Sequence, residues 1–151
     1  MPLFTRILCP VDFSEPSEAA LRVAIAFAQK EGASLHLLHV IEPILIPADY
    51  AMGPISPAEF EGQLQAQAEK NLLAAKERAA GAGIQVDMTL RRGKPFHEIA
   101  LVAGEQHSDL IVIGTHGLSG LSHILMGSTA EKVVRKAPCA VLTIKAHPKA
   151  K

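Results

Sequence analysis

Short apolar runs alternate with segments of helical period along the whole chain, and no other feature narrows the fold as much. Residues 7–11 (Ile-Leu-Cys-Pro-Val) form a compact, β-rich run stopped by Pro10 and Asp12. Ser14 is placed to cap a helix with Pro16 in its first turn. Leu21, Ala24, Ile25 and Ala28 then repeat at helical spacing until Gly32 ends the element. Residues 34–40 are almost continuously apolar, which predicts a strand covered on both faces. Phe60, Leu64, Ala68, Leu72, Ala75 and Ala79 mark one face of a long helix closed by Gly81 and Gly83. Glu69, Lys70, Lys76, Glu77 and Arg78 read as its solvated side. Val86, Met88 and Leu90 alternate with polar residues, as a half-exposed strand does. A helix carrying Phe96, Ile99, Ala100 and Ala103, a strand over 109–113, a helix over about 128–136 and a strand over 140–144 complete the pattern. This β-α-β-α-β-α-β-α-β order selects the α/β class: a single open parallel sheet of five strands with helices on both faces. Residues 1–146 form one domain, and 147–151 a short basic tail.

Composition excludes several functions. At 151 residues and 48% hydrophobic content the chain can bury a self-sufficient core and is not a disordered one. Lys+Arg and Asp+Glu each number 15, so no overall positive field attracts nucleic acid or an anionic membrane. With 4% aromatics and no Trp, base-stacking platforms are scarce. No apolar run approaches the 18 or so residues of a membrane span, and Arg6, Pro10 and Asp12 interrupt any leader-like start. A cytoplasmic protein is expected. Cys9 and Cys139 are too few for a disulfide scaffold, and two strand spacings of about 10 Å would separate them, so both are expected as buried, inert thiols. Between residues 41 and 57, Pro43, Pro47, Pro54 and Pro57 with Gly53 predict an irregular connection of the kind that forms lids and binding loops.

In open α/β sheets ligands bind beyond the carboxyl ends of the strands. There the fourth run continues Ile113-Gly114-Thr115-His116-Gly117-Leu118-Ser119-Gly120, and Gly127-Ser128-Thr129 stands directly before a helix. Glycines let backbone amides approach a phosphate, and a helix start offers unpaired N–H groups and a favourable dipole. The same residues also serve as a plain turn with Ser128 as an N-cap, and that alternative stays open. Neither GxxxxGK[ST] nor a GxGxxG after the first strand is present. His36 and His39 have odd spacing on one strand and point to opposite faces, so they cannot chelate together. No His/Cys/Glu group has zinc spacing. His116 and His123 lie in the glycine loop, where phosphate contact and plain solvent exposure both remain open.

The spacing Gly114-x2-Gly117-x9-Gly127-Ser128 resembles the glycine signature of the nucleotide-binding branch of the universal stress protein family. Residues 109–117, Pro138-Cys139-Ala140-Val141-Leu142, His39-Val40 and the run from Ile7 to Ser14 resemble other family segments in the same order. The resemblance implies strand order 3-2-1-4-5, an adenine nucleotide alpha hydrolase-like sheet, and an ATP site, with Mg²⁺ accompanying the nucleotide. Adenine and ribose would lie at Pro10, Asp12 and Val40, with Ile113 adding an apolar contact. The phosphates would lie at Gly114, Gly117, Gly127, Ser128 and Thr129. Asp12 is chemically suited to accept hydrogen bonds from two ribose hydroxyls. Leu118 departs from the Lys or Arg that many relatives carry there, which leaves phosphate binding to backbone amides. The implied function is a nucleotide-responsive regulatory module in stress response. A slow ATPase or self-phosphorylating enzyme, and a nucleotide-free interaction protein, are the alternatives. No arginine finger or pair of acidic metal ligands is visible in the loop, so hydrolysis would be slow at most. The last strand, residues 140–144, is apolar and lacks charge or proline, and in the implied order it lies at an edge. Together with the resemblance, this predicts a homodimer formed through that strand.

Overall fold

The computed structural model describes residues 1–45, 53–116 and 126–146. Local signals set where its elements begin. β1 (Arg6–Pro10) leads to α1 (Glu15–Glu31), whose first turn is capped by the Ser14 hydroxyl accepting from the Ser17 N–H. Gly32 ends α1 at φ 68, a left-handed conformation that glycine adopts without steric cost. β2 (Ser34–Ile41) follows, then α2 (Pro57–Ala80), capped by Ser56. Pro57, expected within the irregular connection, instead opens this helix. A proline at the first helical position lacks only a donor that the position leaves unpaired anyway. Residues 42–45 have no regular structure, and 46–52 lie outside the described residues. β3 (Val86–Arg92), α3 (Pro95–Glu105), β4 (Leu110–Gly114), α4 (Ser128–Lys136) and β5 (Ala140–Ile144) complete the order. The expected basic tail, 147–151, is outside the described residues.

All strand pairs are parallel, and the sheet order is β3-β2-β1-β4-β5, as the resemblance implied. Side chains alternate between two apolar layers. On one face Ile7, Cys9, Leu35, Leu37, Leu110 and Val112 meet Leu21 and Ala24 of α1 and Leu72 and Ala75 of α2. On the other, Leu8, Leu38, Ile111 and Ile113 meet Ile99 and Val102 of α3 and Val133 of α4. The alanines of α1 and α2 let these helices sit close to the sheet. Each fully buried Leu or Ile contributes about 1.5–3 kcal/mol.

Cys9 is fully buried, and burial pushes its thiol up to about 12, so it is inert at neutral pH. Cys139 departs from expectation. It precedes β5 and is only half-buried, against the opposite layer, so the sheet itself separates the two thiols. His36 and His39 do project to opposite faces: His36 Nε2 pairs with Thr89 Oγ1 at 2.7 Å, and His39 Nδ1 lies 2.6 Å from the Val11 carbonyl oxygen. The edges differ. Arg91 pairs with Glu98 and Glu105 and Arg92 with Glu61 on β3, whereas β5 carries no charge. No helix among the described residues is long and apolar enough to cross a membrane.

Asp109, just ahead of β4, ties the two central strands together. Its carboxylate accepts from the Thr5 N–H at 2.8 Å, the Thr5 hydroxyl at 2.9 Å and the Arg6 N–H at 3.0 Å. Burial alone would raise its pKa, but these bonds outweigh it and hold the carboxyl below its ordinary 3.8. A depressed carboxylate stabilises the fold above the unfolded-state value, and that stability is lost as pH falls through the folded-state value. Asp109→Asn should therefore lower the denaturant midpoint at pH 7, and the gap to wild type should close as pH drops below about 4. A gap unchanged from pH 7 to 2 would assign the stabilisation to something other than the charge.

Candidate functional site

β1 crosses over to β2 on one side of the sheet, and β4 to β5 on the other, so the connections leaving β1 and β4 diverge. A cleft of about 520 Å³ opens at that divergence, at the carboxyl ends of the strands. Pro10 lines it from β1, Asp12 from the turn after β1, Val40 from β2, Ile113 and Gly114 from β4, and Gly127, Ser128 and Thr129 from the start of α4. Eight of the nine residues singled out from the sequence thus meet in one place. Gly117 lies outside the described residues, as do Leu118 and His123. Leu64 and Ala68 of α2, Pro95 and Ile99 of α3, His39 and Thr115 also line the cleft and were not anticipated as site residues. Leu64 and Ala68 belong to the stripe read as core, and Pro95 to a helix start, so their patterns have ordinary structural explanations.

At the β1 end the chain turns sharply into α1. The Val11 N–H bonds the Leu38 carbonyl at 2.8 Å, and the Asp12 N–H bonds Ser17 Oγ at 3.0 Å. Asp12 Oδ1 accepts from both the N–H and the hydroxyl of Ser14. Oδ2 makes no hydrogen bond to any described residue, so the carboxylate is held by one oxygen and offers the other. Phe13 sits at φ 65, and its ring packs on His39 with centroids 4.7 Å apart.

At the β4 end Gly114 is required by packing. A Cβ there would lie 2.9 Å from both the carbonyl carbon and the oxygen of Pro16 in α1. The chain then bonds outward, with the Thr115 N–H donating to the Ile144 carbonyl at 2.9 Å. Gly127 is the N-cap of α4, and Ser128 is its first helical residue, so Ser128 is not the cap. The Gly127 N–H, expected to be free for a phosphate, donates instead to the Thr115 carbonyl at 2.6 Å and anchors the loop to β4. The N–H groups of Ser128, Thr129 and Ala130 keep no acceptor among the described residues and form the positive end of the helix dipole.

The cleft therefore has three chemical parts. The turn after β1 brings a carboxylate oxygen with no partner among the described residues, the start of α4 brings amides likewise without an acceptor and two hydroxyls, and Val40, Ile113, Leu64, Ala68 and Ile99 supply apolar wall. Among the described residues no Lys or Arg lines it, and no group of three His, Cys, Asp or Glu residues could hold a metal.

Comparison with known sequences decides the relationship: the universal stress protein family matches residues 3–145. The chain belongs to that family. Among its relatives, the universal stress protein YxiE of Bacillus subtilis is 32% identical over 148 residues, covering 95% of this chain and all of that protein. Among solved structures, MJ0577 of Methanocaldococcus jannaschii superposes with a TM-score of 0.84 at 31% identity, over 97% of this chain and 99% of the other. The universal stress protein UspA of Lactobacillus plantarum gives a TM-score of 0.79 at 30% identity, over 93% and 97%. Two universal stress proteins of the same fold, at 23% and 24% identity, have been solved with cAMP and with dAMP.

The close approach at Gly114 yields a direct test. Gly114→Ala should cost about 1–3 kcal/mol of stability, because the Pro16 backbone cannot yield as a flexible side chain would. Denaturant unfolding measures this, and a cost near zero would show that α1 can retreat from β4.

Proposed function

We propose that this universal stress protein binds ATP with Mg²⁺ and acts in the cytoplasm as a nucleotide-responsive regulatory module. The observation that carries the proposal is that the Asp12 carboxylate oxygen and the α4 amides, neither with a partner among the described residues, line one cleft with apolar wall. Adenine rests between Val40 and Ile113, beside Pro10. The ribose hydroxyls donate to Asp12 Oδ2. The phosphates accept from Ser128, Thr129 and Ala130 N–H groups and from the two hydroxyls, beside Gly114 and Gly127, and the family signature assigns Gly117 to the phosphates as well. With no ready-made group of three metal ligands among the described residues, Mg²⁺ enters on the phosphates, and Ser128 and Thr129 are the hydroxyls at hand to face it. The ion would neutralise phosphate charge in a cleft to which no Lys or Arg among the described residues contributes.

Calorimetry with ATP–Mg²⁺ should show binding at one site per chain. With no Trp and one Tyr, adenine carried through purification should dominate the near-ultraviolet absorbance. Gly127→Val places a Cβ 3.0 Å from the Thr115 carbonyl oxygen, displaces the helix start and should abolish binding with circular dichroism near native. Unaltered affinity would locate the phosphates elsewhere, and a wild type that binds no nucleotide would leave the nucleotide-free interaction protein as the reading.

The assembly we propose is a homodimer paired through β5. That strand is an uncharged sheet edge, and a two-fold axis would set it antiparallel to its own copy, closing the assembly at two. Val141→Pro removes a possible ladder donor at that edge. Light scattering should show a dimer for wild type and a monomer or aggregate for the variant. A wild type monomeric at tens of micromolar, roughly where modest interfaces assemble, would refute it.

A further inference from the structure

Asp12 stands on a turn, residues 11–14, that lies between β1 and α1. Strand pairing with β2 ends at Pro10 and α1 starts at Glu15. Between them Phe13 occupies the left-handed region, where a bulky residue is seldom found. Such a backbone persists when surrounding contacts over-determine it. His39 supplies two of those contacts, one on each side of Asp12. Its Nδ1 lies 2.6 Å from the Val11 carbonyl oxygen, and its ring packs on Phe13. A carbonyl oxygen only accepts, so Nδ1 carries the hydrogen. Val11 is buried, and loss of that donor would leave its carbonyl without the imidazole partner.

We propose that His39 is the positioning residue for the sugar end of the nucleotide. By bracing Val11 and Phe13 it holds the free Asp12 oxygen toward the cleft, and so sets selectivity for a ribose with both hydroxyls. This rests on the nucleotide reading above. His39 acts on the sugar through Asp12, so its removal should weaken recognition of the sugar hydroxyls more than the rest of the ligand's binding.

The test compares ATP with 2′,3′-dideoxyATP, each with Mg²⁺, on the full chain. Wild type should prefer ATP by about tenfold or more, the ratio expected from hydrogen bonds to a charged acceptor. His39→Phe keeps an aromatic ring against Phe13 but has no donor. It should lose most of that ratio, with ATP affinity falling more than dideoxyATP affinity. His39→Asn, whose amide nitrogen falls near the Nδ1 position, should restore the ratio. Phe13→Gly, which relieves the positive φ and removes the ring contact, should also reduce it, and serves if His39→Phe does not fold. Equal weakening of both ligands, or a ratio kept in both His39→Phe and Phe13→Gly, overturns the proposal. Exchange of the Asp12 amide hydrogen, bonded to Ser17 Oγ, reads the brace in the free protein. It should quicken in His39→Phe and not in His39→Asn, and identical rates in all three proteins overturn the brace. A wild type that binds neither nucleotide overturns the nucleotide reading and the selectivity with it, whatever the exchange rates show.

Discussion

The parallel pairing of β1 with β4 is the constraint on which the rest of the molecule depends. These two strands come from distant parts of the chain and meet at the centre of the sheet. Their outgoing connections diverge because one crossover returns to each side of the pair. The cleft exists because of that divergence. The meeting is also tight: the first turn of α1 lies against the end of β4 so closely that only glycine fits at position 114. The wall that presents Asp12 and the wall that presents the α4 amides are therefore set by one contact, and neither could move far without the other.

The distribution of polarity in the cleft gives it direction. A carboxylate repels an anion and helix amides attract one, so a ligand with an anionic end is favoured with that end toward the start of α4. Attraction for the anion comes from backbone dipoles. Such donors hold position better than a long side chain, since they are fixed by the backbone of the helix they begin. The Gly127 amide shows the division of labour. It serves the loop by bonding Thr115, and the next residues face the cleft.

Much of this was readable in the residues. Ser14, Gly32 and Gly83 act through their own local conformations, and the periodicity of Leu21 to Ala28 or Leu72 to Ala79 reflects the core they enter. The glycine spacing led to Gly114 and Gly127 because close approach leaves a mark on residue type. What stayed hidden depends on where distant segments meet. The engagement of the Gly127 amide required the loop to return to Thr115, and the role of His39 required the turn after β1 to pass beneath it. Pro57 read as a breaker because a helix-opening proline and a loop proline look alike until the cap is seen. The half-exposure of Cys139 follows from its place before an edge strand, which an apolar neighbourhood in the sequence does not reveal.

The central strands are apolar on both faces, and this bears on how the sheet finds its alignment. In a strand with one wet face, a shift of one residue turns the apolar side to water and is rejected at once. For Ile7 to Cys9, or Leu110 to Ile113, the same shift exchanges one buried layer for the other, and hydrophobicity alone scarcely opposes it. Discrimination must come from the ends of the strands. Asp109 clasps two consecutive residues, Thr5 and Arg6, and Gly114 alone can pass beneath Pro16. Parallel strands far apart in the chain assemble slowly, and misaligned compact forms compete with them. A polar clasp at one end and a missing side chain at the other thus act as registration pegs, penalising the misaligned sheets that a uniformly greasy interior would otherwise tolerate.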